Sequence, residues 1–568
     1  MLRRLGAVAA LAALTTPQAR ARNTSVEAVD LVMVTRIRDE GMKRSKVMET
    51  AQELTDVIGP RLTGSPSMKR ANEWTRARLA GWGLANARVE SWGPFGRGWS
   101  FERSTVSMVA PYTVPLIALP KAWTPGTEGP VRGKVKRVRI GTKADFDRHK
   151  GKLAGQVLFL SPPRTLRAQE RPTFTRYTDD ELSSLSHFDV SAAAGPDGDD
   201  LRRNRRRFQR DLAEFLAQEK VLATVDVSER DGTLVRVMGA GSREKGESPG
   251  VPALVMAAEH YNRILRLLEK KQEVELEIDV KAAFHDDDLM SANTLAEIPG
   301  TGDEVVMAGA HLDSWHTGTG ATDNAAGSAV VMEALRILKA LDVKPRRTIR
   351  VGLWSGEEQG LLGSRAYVEQ HFGARSDAEE ARRSRERRRP RGALTLKPDH
   401  ARLSAYFNVD NGTGRIRGIY TQQNAAAAPL FEAWLEPLRD LGATTVTNRS
   451  TGSTDHVSFE EVGLPGFQFI QDQADYATRT HHTNLDVYDR LQEEDLIQAS
   501  VVLASFLYGA AQREEPFPRK TLTPEQLGPQ PTPTPEASPD PEASPDPEAE
   551  PSPEASPSPA PAATPASR

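Results

Sequence analysis

The stretch EVVMAGAHLDSWHTGTGATDNAAGSAVVMEALRILKAL, residues 304–341, decides how this chain is read. It opens on an apolar run that ends in His311. A glycine-bearing loop through Gly318, Gly320 and Asp323 follows. Then Val330, Ala334, Ile337, Leu338 and Leu341 recur on one helical face. The order is strand, tight loop, helix, with the helix expected over 324–341. Working outward, the alternation repeats: strands at 348–354, 403–409 and 466–470, and helices at 359–372, 429–441 and 494–511. Strands alternating with helices predict an α/β fold, a mostly parallel-centred mixed sheet flanked by helices.

Upstream, residues 22–103 read as the first part of the same domain. Val32, Ile37, Met42, Val47 and Leu54 have loosely helical spacing, a turn follows at 59–65, a helix runs through Trp74 and Leu79, and 88–92 alternates like a strand. Residues 104–288 differ. Short β runs at 135–140, 156–160, 221–227, 251–256 and 274–280 are punctuated by glycine and proline, as in an inserted β-rich domain. The main domain is expected to resume at 289 and to close near 515. From 516 to 568 the chain repeats proline, glutamate, alanine and serine, which bury no apolar area, so a disordered tail is expected.

Composition narrows the chemistry. A net charge of −3 over 568 residues points to neither nucleic acid nor an anionic membrane as partner. The basic run Arg202–Arg210 reads as the solvated face of a helix. There is no cysteine, so disulfides and thiolate metal sites are excluded, and any metal must sit on histidine and carboxylate. Arg3 and Arg4, the apolar residues 5–14 and Ala19-Arg20-Ala21 form a secretory signal pattern over 1–21, too short to span a bilayer. Export to a periplasm or the outside is expected, with no membrane span in the mature chain.

Chemistry-bearing residues gather where the predicted strands end, the edge at which open α/β sheets bind ligands. His311 ends one strand, with Asp313 two residues on, placed to orient the imidazole or support it. Asp323 stands at the next helix start and can share its two oxygens between two metals. Glu357 and Glu358 follow the strand at 348–354. Consecutive side chains diverge, so one can bind metal while the other faces a water. Asp410 ends a further strand, and His481-His482-Thr483 lies in a polar loop. Taken singly, each has a bland reading: a surface pair, acids suited to a helix dipole, an Asx turn, a loop histidine. Together they supply nitrogen donors, hard carboxylates, a bridging carboxylate and a free base, which a hydrolytic two-metal site needs.

Six stretches then carry a resemblance: residues 309–315, 320–324, 353–360, 408–410, 452–456 and 481–483. Through them the chain resembles the co-catalytic dizinc aminopeptidase family, in its carboxypeptidase Q-like branch, over roughly residues 26–515. By position and short strands, 104–288 resembles a protease-associated (PA) domain inserted in the zinc exopeptidase fold. The resemblance implies two Zn2+ per chain. Asp323 would bridge them, His311 and Asp410 would complete one site, and Glu358 and His482 the other. Glu357 would be the general base and Asp313 the support of His311. His482 is preferred to His481 because the family's histidine directly precedes Thr or Ser. Asp455 and His456 would lie near substrate or behind the ligands, and Tyr476 would help polarise a carbonyl. The implied function is metallo-exopeptidase action on short peptides or dipeptides, and the family often forms homodimers. Two alternatives stay open: a non-catalytic binding or receptor-like relative, and a single-zinc acyl transferase like glutaminyl cyclase. The chain departs from the family pattern in the arginine-rich stretch 374–392, expected to be mobile, and in its tail.

Overall fold

The computed structural model describes residues 27–187, 199–378, 380 and 392–527. The signal pattern at 1–21, the centre of the arginine-rich stretch and most of the proline-rich tail lie outside the described residues.

Two eight-stranded sheets organise the described chain. The first runs in the order Ala85–Trp92, Ser291–Ile298, Thr348–Trp354, Val305–His311, Leu403–Asn408, Gly466–Gln471, Ile416–Tyr420 and Thr445–Thr447. Its centre is parallel: Val305–His311 pairs in parallel with Thr348–Trp354 on one side and Leu403–Asn408 on the other, and Gly466–Gln471 extends the parallel set. Antiparallel pairs flank that centre. The expected parallel-centred mixed sheet is what forms.

Helices cover both faces. Helix Ala326–Ala340 is apolar almost all round, so it is buried between the sheet and helix Glu493–Gln512. On the other face Trp354, Tyr367, Phe372, Tyr406 and Phe459 pack together, with the Tyr406 and Phe459 rings stacked at 3.9 Å. Burial on both faces explains why the central strands read as unbroken apolar runs.

The second sheet lies wholly within 98–285, in a β-rich segment inserted between the first two strands of the main sheet. Its longest pair joins Gly98–Ala110 to Glu275–His285. The strands of this sheet run from 98 to 285, beside the expected limits of 104 and 288. Gly98–Ala110 crosses the expected boundary without any proline or glycine break at 103. Helix Asp199–Gln218 carries the basic run and buries Leu212 and Leu216. The aromatic residues Trp92, Phe95, Trp99, Trp123 and Trp315 pack between the two sheets.

Other departures have local causes. Ser291–Ile298 was not expected as a strand because Ser291, Asn293, Thr294 and Glu297 interrupt its apolar pattern. Asn293 and Thr294 are buried with hydrogen bonds to Gly363 and Asn72. Ile416–Tyr420 and Thr445–Thr447 were likewise unexpected and are short. The helix expected from 324 starts at Ala326, because Asn324 turns its side chain to the Val409 carbonyl and the Gly327 N–H. The helix expected at 359–372 is Leu362–His371. That expected at 429–441 is α-helical over Ala428–Leu435 and 3-10 over Glu436–Leu441, where Pro437 lacks an N–H to donate. Strands Gly373–Arg375 and Leu394–Leu396 pair at the base of the arginine-rich stretch. Among the described residues no helix is long and apolar enough to cross a membrane.

Candidate metal centre

The parallel strands open their carboxyl ends to one edge, and every ligand expected from the sequence meets there. His311 is the last residue of Val305–His311 and lies in register with Trp354, so the turn carrying Glu357 and Glu358 starts beside it. Asp410 follows Leu403–Asn408, and the loop after Gly466–Gln471 brings His482. His311 Nε2 lies 3.2 Å from Asp323 Oδ1 and 3.3 Å from Asp410 Oδ1. His482 Nε2 lies 3.2 Å from Asp323 Oδ2 and 3.0 Å from Glu358 Oε2. Asp323 thus turns one oxygen to each histidine, the placement a bridging carboxylate requires. His481 Nε2 is 3.9 Å from Asp323 Oδ2, farther than its neighbour, so distance also favours His482.

Buried atoms test whether cations fit. Asp323 Oδ2 and Glu358 Oε1 are buried with no aligned hydrogen bond. Burial pushes the Glu358 carboxyl up to about 7, against the pull of His482. So many buried carboxylates with so few partners are costly unless positive charge joins them. The donor set, imidazole nitrogen with carboxylate oxygen, suits zinc.

The surroundings hold the ligands still. His311 Nδ1 meets the Asp313 backbone carbonyl at 2.9 Å, while the nearer Asp313 carboxylate oxygen is 3.7 Å away. The main chain of Asp313 therefore makes the closer contact with the imidazole, and its carboxylate lies just behind. That carboxylate also accepts from Thr63 Oγ1 at 2.7 Å and from the Glu357 N–H at 3.2 Å, which ties the glutamate turn to the His311 strand. Asp486 accepts from the Thr322 N–H at 2.6 Å, from Thr322 Oγ1 at 2.8 Å and from the Asp323 N–H at 3.2 Å. Gly320 has φ +61, and a Cβ there would meet Ser314 at 2.2 Å, so the loop needs glycine at this point.

Glu357 is not among the atoms that pair with the two histidines. Burial first, then the charges of Asp410, Asp455 and Glu358, hold its carboxyl well above the usual carboxylate range, with His311 opposing. Asp455 is fully buried, and burial pushes it up to about 7. His456 turns away to the Thr451 carbonyl at 3.0 Å, and burial lowers it to about 4. Tyr476 is held well above its ordinary value by burial and by the charges of Asp323, Asp410 and Glu358.

Sequence reasoning missed Arg61. Its guanidinium is fully buried and donates to the carbonyls of Leu54, Gly59, Leu312, Thr319 and Gly320 at 2.7–3.1 Å. Burial lowers it to about 10 against the pull of Asp486, Asp313 and Asp323, so it stays charged beneath the acidic cluster. It ties the helix before it to the His311 loop. The only sequence signal was the turn 59–65 itself. Arg61→Ala is expected to strand several of these carbonyls and cost about 3 kcal/mol or more, read as a lowered urea midpoint. An unchanged midpoint would show that water replaces the guanidinium.

Known proteins resemble this chain in sequence and in fold. Residues 293–507 match the model of peptidase family M28. Carboxypeptidase Q of Bos taurus is 25% identical over 484 residues, covering 84% of this chain and 88% of the relative. The crystal structure of a peptidase M28 precursor from Shewanella amazonensis aligns with TM-score 0.59 at 25% identity, over 86% of this chain and 99% of that one. BSAP, a zinc aminopeptidase from Bacillus subtilis, shares the fold with TM-score 0.51 at 18% identity, over 82% and 95%.

Proposed function

We propose that this chain, a zinc metallopeptidase that carries a peptidase family M28 domain and resembles carboxypeptidase Q, is an exported dizinc exopeptidase cleaving terminal bonds of short peptides or dipeptides. The observation that carries this reading is Asp323, whose two oxygens each face a different histidine. His311 and Asp410 would hold one ion with Asp323, and Glu358 and His482 the other. Bound there, zinc supplies Lewis acidity and lowers the pKa of water.

The chain's own residues do the rest. Glu357, fixed through its N–H to Asp313, takes a proton from the attacking water and returns it to the departing amine. Tyr476 is assigned on the resemblance to help polarise the substrate carbonyl. Asp455 and His456 are assigned on the resemblance to positions near substrate or behind the ligands. The inserted segment 98–285 is assigned as a PA-like domain on its position and its separate sheet. Export rests on the signal pattern at 1–21.

The test is hydrolysis of a dipeptide panel with free, N-blocked and C-blocked termini, with and without chelator. Chelator-sensitive cleavage that requires a free terminus is expected. Cleavage indifferent to chelator would remove the metal from the mechanism, and cyclisation of N-terminal glutamine without hydrolysis would favour the acyl-transferase alternative.

A further inference from the structure

The inserted β-rich segment grips the loop that carries His482 at both of its ends. At the start, the Thr175 N–H donates to the Ala474 carbonyl at 2.8 Å, and Thr478 Oγ1 donates to the Thr173 carbonyl at 2.6 Å. Arg176 anchors the same strand of contacts on Asp472 and Asp495 at 3.0 and 2.6 Å. At the end, the Val237 N–H donates to the His482 carbonyl at 3.1 Å. The Asn484 N–H donates to the Val235 carbonyl at 3.2 Å, and Asn484 Oδ1 accepts from the Val235 N–H at 2.8 Å. Arg236, in the middle of that edge, lies 3.3 Å from His482 Nδ1.

His482 needs such a grip. Its φ is +62, a left-handed conformation that a side-chain-bearing residue keeps only when its surroundings hold it. Released, its backbone would relax to an ordinary conformation, and Nε2 would leave Asp323 and Glu358. His311, by contrast, ends a central strand whose pairing fixes its backbone.

We infer that the inserted segment is a clasp for one half of the metal centre. Asn484 and Thr478 are positioning residues that keep His482 on its ion, and their loss loosens that ion selectively. This rests on His482 being a ligand. Outer partners of metal ligands are worth about 10–100-fold in affinity, and the clasp should fall in that range.

The experiment follows zinc content of the full chain under graded chelator for wild type, Asn484→Ala, Thr478→Val, Thr478→Ser and His482→Ala. Asn484→Ala and Thr478→Val are expected to release one ion at chelator concentrations about tenfold lower than wild type, with the second ion unmoved. Thr478→Ser keeps the hydroxyl and should behave as wild type. Release at the wild-type concentration, or parallel loosening of both ions, overturns the clasp. Should Asn484→Ala fail to fold, Thr478→Val, on the exposed side of the loop, decides alone. If His482→Ala keeps both ions, the ligand assignment fails instead, a different outcome from failure of the clasp.

Discussion

Glu357→Gln is expected to keep its metal and to lose turnover by about 10²–10⁴-fold, the usual worth of a positioned general acid–base group. Glutamine preserves the shape, and the main-chain bond from residue 357 to Asp313 is untouched. What disappears is the proton acceptor. Glu357 is not among the carboxylates that face His311 or His482, so the ions should remain. Zinc content measured beside kcat checks both halves. A variant with normal kcat would remove Glu357 as the base. One that loses zinc would make it a ligand.

The second large effect is expected from Asp323→Asn. Both histidines face this carboxylate at 3.2 Å, each through a different oxygen. Asparagine keeps one carbonyl oxygen but turns a donor toward the other side and removes the negative charge. Both ions should weaken, each beyond the roughly 10–100-fold cost of losing an outer partner, and hydrolysis should fall with them. Competition against a chromophoric chelator measures the two affinities. Loosening of only one ion would show that Asp323 serves a single site.

Much of this was legible in the sequence for a physical reason. Strands buried on both faces must be apolar, so 305–310 and 348–354 announce themselves, and a parallel sheet delivers their ends to one edge. A charged residue directly after such a run is conspicuous, which is why His311, Glu357, Glu358 and Asp410 could be named. What could not be read depends on partners remote in sequence. Three of the five carbonyls that Arg61 meets lie 251 to 259 residues away, and locally only the turn 59–65 marks it. The Asp313 main chain makes a closer contact with His311 than its carboxylate does, a choice set by backbone direction. Ser291–Ile298 hid because its buried polar groups are satisfied by another helix and turn. The clasp at Val235–Val237 joins two loops remote in sequence and has no signature in either.

The central claim is a pair of ions bridged by Asp323. The most direct measurement is zinc per chain on the purified protein, followed as chelator is raised and dipeptide hydrolysis is recorded in parallel. About two zinc ions per chain, with hydrolysis lost as they leave and restored when they return, is the predicted result. A single ion at full activity would contradict the account.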